Sequence, residues 1–245
     1  MNLLPDWLSS TFYLIAAICF ILALKGLSGP RTARRGNLLG AAGAALAVVT
    51  VYLSTDFRGS TLWLSLIALA IGAGISVPVA RKVKMTDMPQ LVALLNGVGG
   101  GAAAFVGLIE LTELQPVLGA VPWYTLAASA FAVLIGSLSL SGSIVTFLKL
   151  QGLMTSRPVI LPLAVVWMVV TMTASAAVAI TVAVTGNLMW AWILLALGLL
   201  SGVLMVLPVG GADVPIVISL LNAFTGLAVA ASGFAMPNTL MLVAG

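Results

Sequence analysis

Eight stretches of this sequence, 8–24, 37–53, 61–79, 88–109, 124–148, 160–184, 188–208 and 215–236, contain no charged side chain. Each is long enough for a helix to cross a bilayer, which takes about 17–25 residues. Lipid offers backbone amides no water to bond, so each run must satisfy its own N–H and C=O groups as a helix. The expected fold is an all-α integral membrane protein, a polytopic helix bundle of eight spans. Residues 238–245 read as the start of a ninth span that the chain does not finish. With 62% hydrophobic and 7% charged residues and a mean hydropathy of +1.23, a soluble globular domain is excluded.

The gaps between runs set the orientation. Arg31, Arg34 and Arg35 follow the first run, Arg81, Lys82 and Lys84 the third, and Lys149 and Arg157 the fifth. The alternate gaps hold Asp56 with Arg58, then Glu110 with Glu113, then almost no charge. Basic loops stay cytoplasmic, which places the N-terminus outside. The net charge of +4 is thus a topology signal and points to no nucleic-acid partner. Asp6 and the lack of a basic leader make the first run a span, not a cleaved signal. A lone Cys19 excludes an internal disulfide and a cysteine metal site. There is no histidine, so the usual proton carrier near neutral pH is missing.

One stretch occurs twice. Residues 87–107, DMPQLVALLNGVGGGAAAFVG, match 213–233, DVPIVISLLNAFTGLAVAASG, at a constant offset of 126 residues. Asp87 pairs with Asp213, Pro89 with Pro215, Asn96 with Asn222, and Gly100 and Gly107 with Gly226 and Gly233. The helices carrying them, the fourth and eighth, run the same way. The first and fifth runs end alike, in Leu24-Lys25 and Leu148-Lys149, and the third and seventh share a closing proline, Pro78 and Pro208. The pattern suggests two parallel repeats, about 1–109 and 124–236, an arrangement found in transport proteins.

An amide within a membrane needs a partner or a task. Asn96 and Asn222 each lie on a stripe of small residues, where a helix or water can come close. Two readings stand: interhelical glue, or part of an ion or proton path. Asp87 and Asp213 stand two residues before a proline at helix starts, where capping explains them and a gating role remains open. The fifth run carries Ser137, Ser139, Ser141 and Ser143, with Thr146 nearby. Such hydroxyls ordinarily bond their own i−4 carbonyl, but Ser139 and Ser143 share a face that a hydrated path could use. Gly99-Gly100-Gly101 lies inside a span with no strand before it, so it is not a phosphate loop. Machinery for bond-breaking chemistry is not visible.

The stretches VKMTDMPQLVALLN (83–96), GSLSLSGSIVTFLKLQG (136–152) and GGADVPIVISLLNAFTG (210–226) together resemble the membrane domain of the beta subunit of proton-translocating NAD(P) transhydrogenase. The resemblance covers essentially the whole chain, including the basic loop at 31–35. It implies proton conduction across a bacterial inner (plasma) membrane, coupled to hydride transfer between NAD(H) and NADP(H) in extramembranous domains. It further implies partners: alpha-subunit membrane helices, the nucleotide-binding domains, and a dimer of the complex. In the family an NADP(H)-binding domain follows the last span. This chain stops at Gly245, so it is expected to be the membrane part alone, binding neither NAD nor NADP and holding no catalytic residue or metal.

By the resemblance, Ser143 and Asn222 match proton-path positions, and Asp213 matches a residue linked to communication with the NADP(H) domain. Asn96 departs from the pattern, since many members have a protonatable histidine there and an amide takes up no proton near neutral pH. The protonatable group is then expected from an alpha-subunit helix, with Asn96 ordering water beside it. The expected proton path is Asn96, Ser139, Ser143 and Asn222, with Asp87 and Asp213 as coupling residues at the cytoplasmic helix ends. A secondary transporter with its site at the two Asn is the alternative, and a non-catalytic scaffold a third.

Overall fold

The computed structural model describes residues 4–55 and 59–245. Asp56 and Arg58, used above in the loop-charge argument, lie outside the described residues. Nine α-helices form among the described residues: α1 (Asp6–Leu27), α2 (Ala33–Ser54), α3 (Ser60–Lys82), α4 (Met88–Glu113), α5 (Trp123–Leu150), α6 (Ala164–Thr185), α7 (Leu188–Val206), α8 (Val214–Ala235) and α9 (Thr239–Ala244). The first eight are long and apolar enough to cross a membrane, so the polytopic all-α bundle read from hydropathy is what the chain forms. The stretch expected to open a ninth span is the short α9, which begins where the Asn238 side chain accepts a hydrogen bond from the Met241 amide.

Several helix ends depart from the hydropathy reading. The sixth run begins at residue 160, but its helix starts only at Ala164. Pro158 and Pro162 lie in this approach; proline disfavours helical backbone in the residue before it, and Leu163 takes a left-handed conformation, φ 57°. Conversely, α3 and α4 continue beyond their apolar runs to Lys82 and Glu113. Hydropathy stops at the first charge, whereas the backbone ladder continues.

The chain divides after Lys84 into two compact units. In the first, α1 and α2 pack along a seam of small residues. A methyl group on Gly43 would lie 2.8 Å from Cys19 Cβ, and one on Gly36 would lie 2.9 Å from the Ala23 carbonyl. At the other end of this pair Tyr13 Oη and Ser54 Oγ are 3.2 Å apart. Helix α3 buries no residue.

The second unit is built around α5, which packs against α4, α6, α7 and α8. Between α4 and α5 the spacing is set by glycine. A methyl group on Gly136 would meet the Gly100 carbonyl oxygen at 2.6 Å and the Ala104 nitrogen at 2.7 Å. Helix α7 approaches the opposite side of α5 through Gly198 and Gly202, a GxxxG pair set against Ser137 and Leu138–Gly142. Close backbone approach through small residues is how helices associate where no hydrophobic force separates side chains from solvent. Two apolar clusters complete the core. One holds Leu108, Leu111, Leu126, Val133 and Leu194, and the other, toward the Lys149 end, holds Leu138, Val145, Val206 and Leu221.

Candidate functional site

Asn96 sits eight residues into α4, about 12 Å along the axis at 1.5 Å per residue. Its stripe of small residues is the face that meets α5. Methyl groups on Gly97 and Gly100 would touch Ser143 Cβ at 3.0 Å and Ser139 Cβ at 2.9 Å. The approach buries the amide, leaving it 8% exposed, against the two serines one turn apart on α5. Asn96 Nδ2 donates to Ser139 Oγ at 3.2 Å and to Ser143 Oγ at 2.9 Å.

The neighbouring hydroxyls of α5 are spent locally. Ser137 and Ser141 donate to the carbonyls of Leu134 and Leu138, and Thr146 to that of Gly142. Ser139 instead reaches α8, where it donates to the Leu221 carbonyl at 2.9 Å and lies 2.6 Å from Thr225 Oγ1. A serine has one proton and two lone pairs. With that proton on the Leu221 carbonyl, Ser139 must accept from both Thr225 and Asn96. The Asn96 atom facing it is therefore the NH₂ group, and the oxygen points elsewhere. Asn96 Oδ1 is buried without a hydrogen-bond partner, as are Gln90 Oε1 and Ser201 Oγ.

The site thus joins three helices: Asn96 from α4, Ser139 and Ser143 from α5, and Thr225 with the Leu221 carbonyl from α8. Thr225 escaped the sequence reading. One signal for it exists, because at the repeat offset it stands where the first copy has Gly99, and a methyl group on Gly99 would lie 3.4 Å from Thr225 Cγ2.

Asn222 does not share this site. It follows Leu221, so it is turned roughly 100° around α8, and it is exposed along with Ser219. The two Asn are equivalent in sequence but not in surroundings. The capping account of the two Asp also changes. Asp87 and Asp213 occupy the N-cap positions of α4 and α8, each at the end of a 3-10 turn and with proline in the first turn, yet neither makes a side-chain cap bond. A capping residue usually takes extended backbone, which aims its side chain at the free amides. Asp87 (φ −101°, ψ 3°) and Asp213 (φ −94°, ψ −2°) do not. Asp213 is exposed, and Asp87 accepts at 3.2 Å from the Thr86 hydroxyl.

This division of labour predicts unequal costs. Ser137→Ala is expected to change stability by less than about 0.5 kcal/mol, since its hydroxyl serves only its own helix. Ser139→Ala removes the partner of Thr225 and one of the two acceptors of the Asn96 amide, and is expected to cost about 1–3 kcal/mol. Thermal unfolding of the two purified variants in one detergent checks the ranking.

Comparison with known proteins adds the identity of this arrangement. The model of the NAD(P) transhydrogenase beta subunit family matches residues 9–245. The NAD(P) transhydrogenase subunit beta of Rhodospirillum rubrum, and that of a named strain of the same species, are each 36% identical over 242 residues, which is 97% of this chain and 52% of the relative. The chain therefore spans about half the length of the curated relatives it matches. An all-helical membrane bundle matched along nearly its whole length by this family model is a member of the NAD(P) transhydrogenase beta subunit family.

Proposed function

We propose that this chain is the membrane domain of a proton-translocating transhydrogenase, which carries protons across a bacterial plasma membrane in step with hydride transfer between NAD(H) and NADP(H). The nucleotides belong to extramembranous domains and the chemistry to them; this chain supplies the proton route. The observation that supports the reading best is the orientation of Asn96. Two serines hold its NH₂ end, while its carbonyl oxygen is buried with no donor. Leaving a buried acceptor unpaired costs about 1–3 kcal/mol, so in the complete complex that oxygen takes a donor, either a water or a protonated side chain.

An amide cannot itself carry the proton. In this reading the titrating group comes from a membrane helix of the alpha subunit, and Asn96 with the Ser143 hydroxyl orders water beside it. Ser139 holds and does not relay, because its proton is committed to the Leu221 carbonyl. Asn222 lines the outward face of α8, where the partner helix lies against it. Asp87 and Asp213, whose carboxylates make no cap bond, are the contacts through which the NADP(H) domain gates access. The paired Asp–Pro helix starts also fit a parallel repeat, about 1–109 and 124–236, and the complex assembles as a dimer.

The test uses the full complex in liposomes, with hydride transfer and internal pH followed together. Wild type is expected to acidify or alkalinise the lumen in proportion to hydride transferred. Asn222→Leu, in assembled complex, is expected to lower that proton movement about tenfold, the effect of one hydrogen bond worth about 1.4 kcal/mol. A wild-type complex that moves hydride without protons would refute the reading. A fully coupled Asn222→Leu would return this residue to packing alone.

A further inference from the structure

The second buried polar centre of the unit is not in the Asn96 network. Lys149, in the last turn of α5, is 1% exposed. Its ammonium donates to three carbonyls at the end of α7: Val206 at 3.2 Å, Leu207 at 2.6 Å and Val209 at 2.7 Å. An ammonium has three donors, and all of them are used. The acceptors lie at and just past the end of α7, where the negative end of the dipole favours a cation. A buried charge with no carboxylate beside it among the described residues is tolerated there because the helix end supplies both the acceptors and the field.

The same few residues are stitched to the loop that follows α5. Ser156 Oγ donates to the Lys149 carbonyl at 3.2 Å, the Gly211 amide donates to the Ser156 carbonyl at 2.8 Å, and the Val159 amide to the Leu207 carbonyl at 3.0 Å. Two residues beyond Gly211 the chain reaches Asp213 and α8. The knot therefore ties the end of the helix that carries Ser139 and Ser143 to the start of the helix that carries Leu221 and Thr225. Ser143 is six residues from Lys149, about 9 Å along α5.

We propose that Lys149 is a positioning residue for proton coupling: its three-carbonyl clamp sets the register of the Asp213 end of α8 against α5, and so the geometry of the Ser139–Thr225–Asn96 contacts. The proposal rests on the transhydrogenase reading given above. With the clamp in place, a push on the exposed Asp213 end is passed to α5 and its serines as one rigid piece. Without it, the 207–213 segment absorbs the push and the message stops there.

Lys149→Met keeps the apolar stem and removes the three donors. In the full complex in liposomes, this variant is expected to assemble and transfer hydride, while protons moved per hydride fall about tenfold or more, as a small misplacement at a reacting site can produce. Rescue separates positioning from general damage. A Cβ placed on Gly211 lies 3.3 Å from Ser156 Cβ, a few tenths of an ångström short of the usual disulfide span of about 3.8 Å. Adding Ser156→Cys and Gly211→Cys to Lys149→Met is therefore expected to restore at least half of the coupling ratio when oxidised, and to lose it again on reduction. A Lys149→Met complex coupled like wild type overturns the proposal, and so does a loss of coupling that the disulfide leaves unchanged. Should Lys149→Met prevent assembly, Ser156→Ala decides, with a normal ratio overturning the proposal and a reduced one supporting it. An uncoupled wild type would instead refute the underlying reading.

Discussion

Asn96→Leu is expected to cut coupled proton movement about thirtyfold or more while leaving an assembled complex. The substitution is close in volume, so the contact of α4 with α5 through Gly97 and Gly100 survives, but both donated bonds and the buried carbonyl oxygen disappear. Ser143 loses the bond from Asn96, and the water or partner group at Oδ1 loses its acceptor. Removal of two bonds of about 1 kcal/mol each, together with the site's acceptor, predicts a fall in protons per hydride of about thirtyfold or more. The same liposome measurement checks it. If Asn96 were only glue, unfolding would shift by about 1–3 kcal/mol and the ratio in surviving complexes would match wild type. That second outcome would move the proton route away from α4 altogether.

Gly136→Val is expected to have a large structural effect. The added carbons meet backbone on α4, at 2.6 Å from the Gly100 oxygen and 2.7 Å from the Ala104 nitrogen, and backbone cannot swing aside as a side-chain tip can. The two helices must separate, and the serine face of α5 leaves Asn96 with them. Overpacking of this kind costs about 3 kcal/mol or more, a large part of a marginal stability. Loss of folded protein, followed by size exclusion in detergent and by heat-induced aggregation, is the expected result. Gly72→Val, on α3 where an added methyl meets nothing within 4 Å, should fold normally. Equal behaviour of the two would contradict the close α4–α5 seam.

Much of this architecture was legible because a bilayer imposes a coarse rule. A run such as 188–208 has one way to satisfy its backbone in lipid, and the helix observed there, Leu188–Val206, follows. Residue spacing also read through to the site. Ser139 and Ser143, four apart, share the face that Asn96 meets, while Ser137 and Ser141 turn to their own helix. The small residues around Asn96 announced a close neighbour, and α5 is that neighbour.

What stayed hidden depends on which helix lies beside which. Asn96 and Asn222 are twins in sequence, yet only Asn96 faces α5. Thr225 reads as one hydroxyl among many until α8 sets it 2.6 Å from Ser139. Lys149 reads as a topology charge at the end of an apolar run, and only the arrival of the α7 carbonyls makes it a buried clamp. Asp87 and Asp213 read as caps until their backbone angles aim the carboxylates away. Hydrophobic length acts within one segment, so the sequence by itself determined the eight spans, and its motifs carried the family resemblance. Hydrogen bonds between helices require two segments to meet at 3 Å, and that geometry exists only once the bundle has closed.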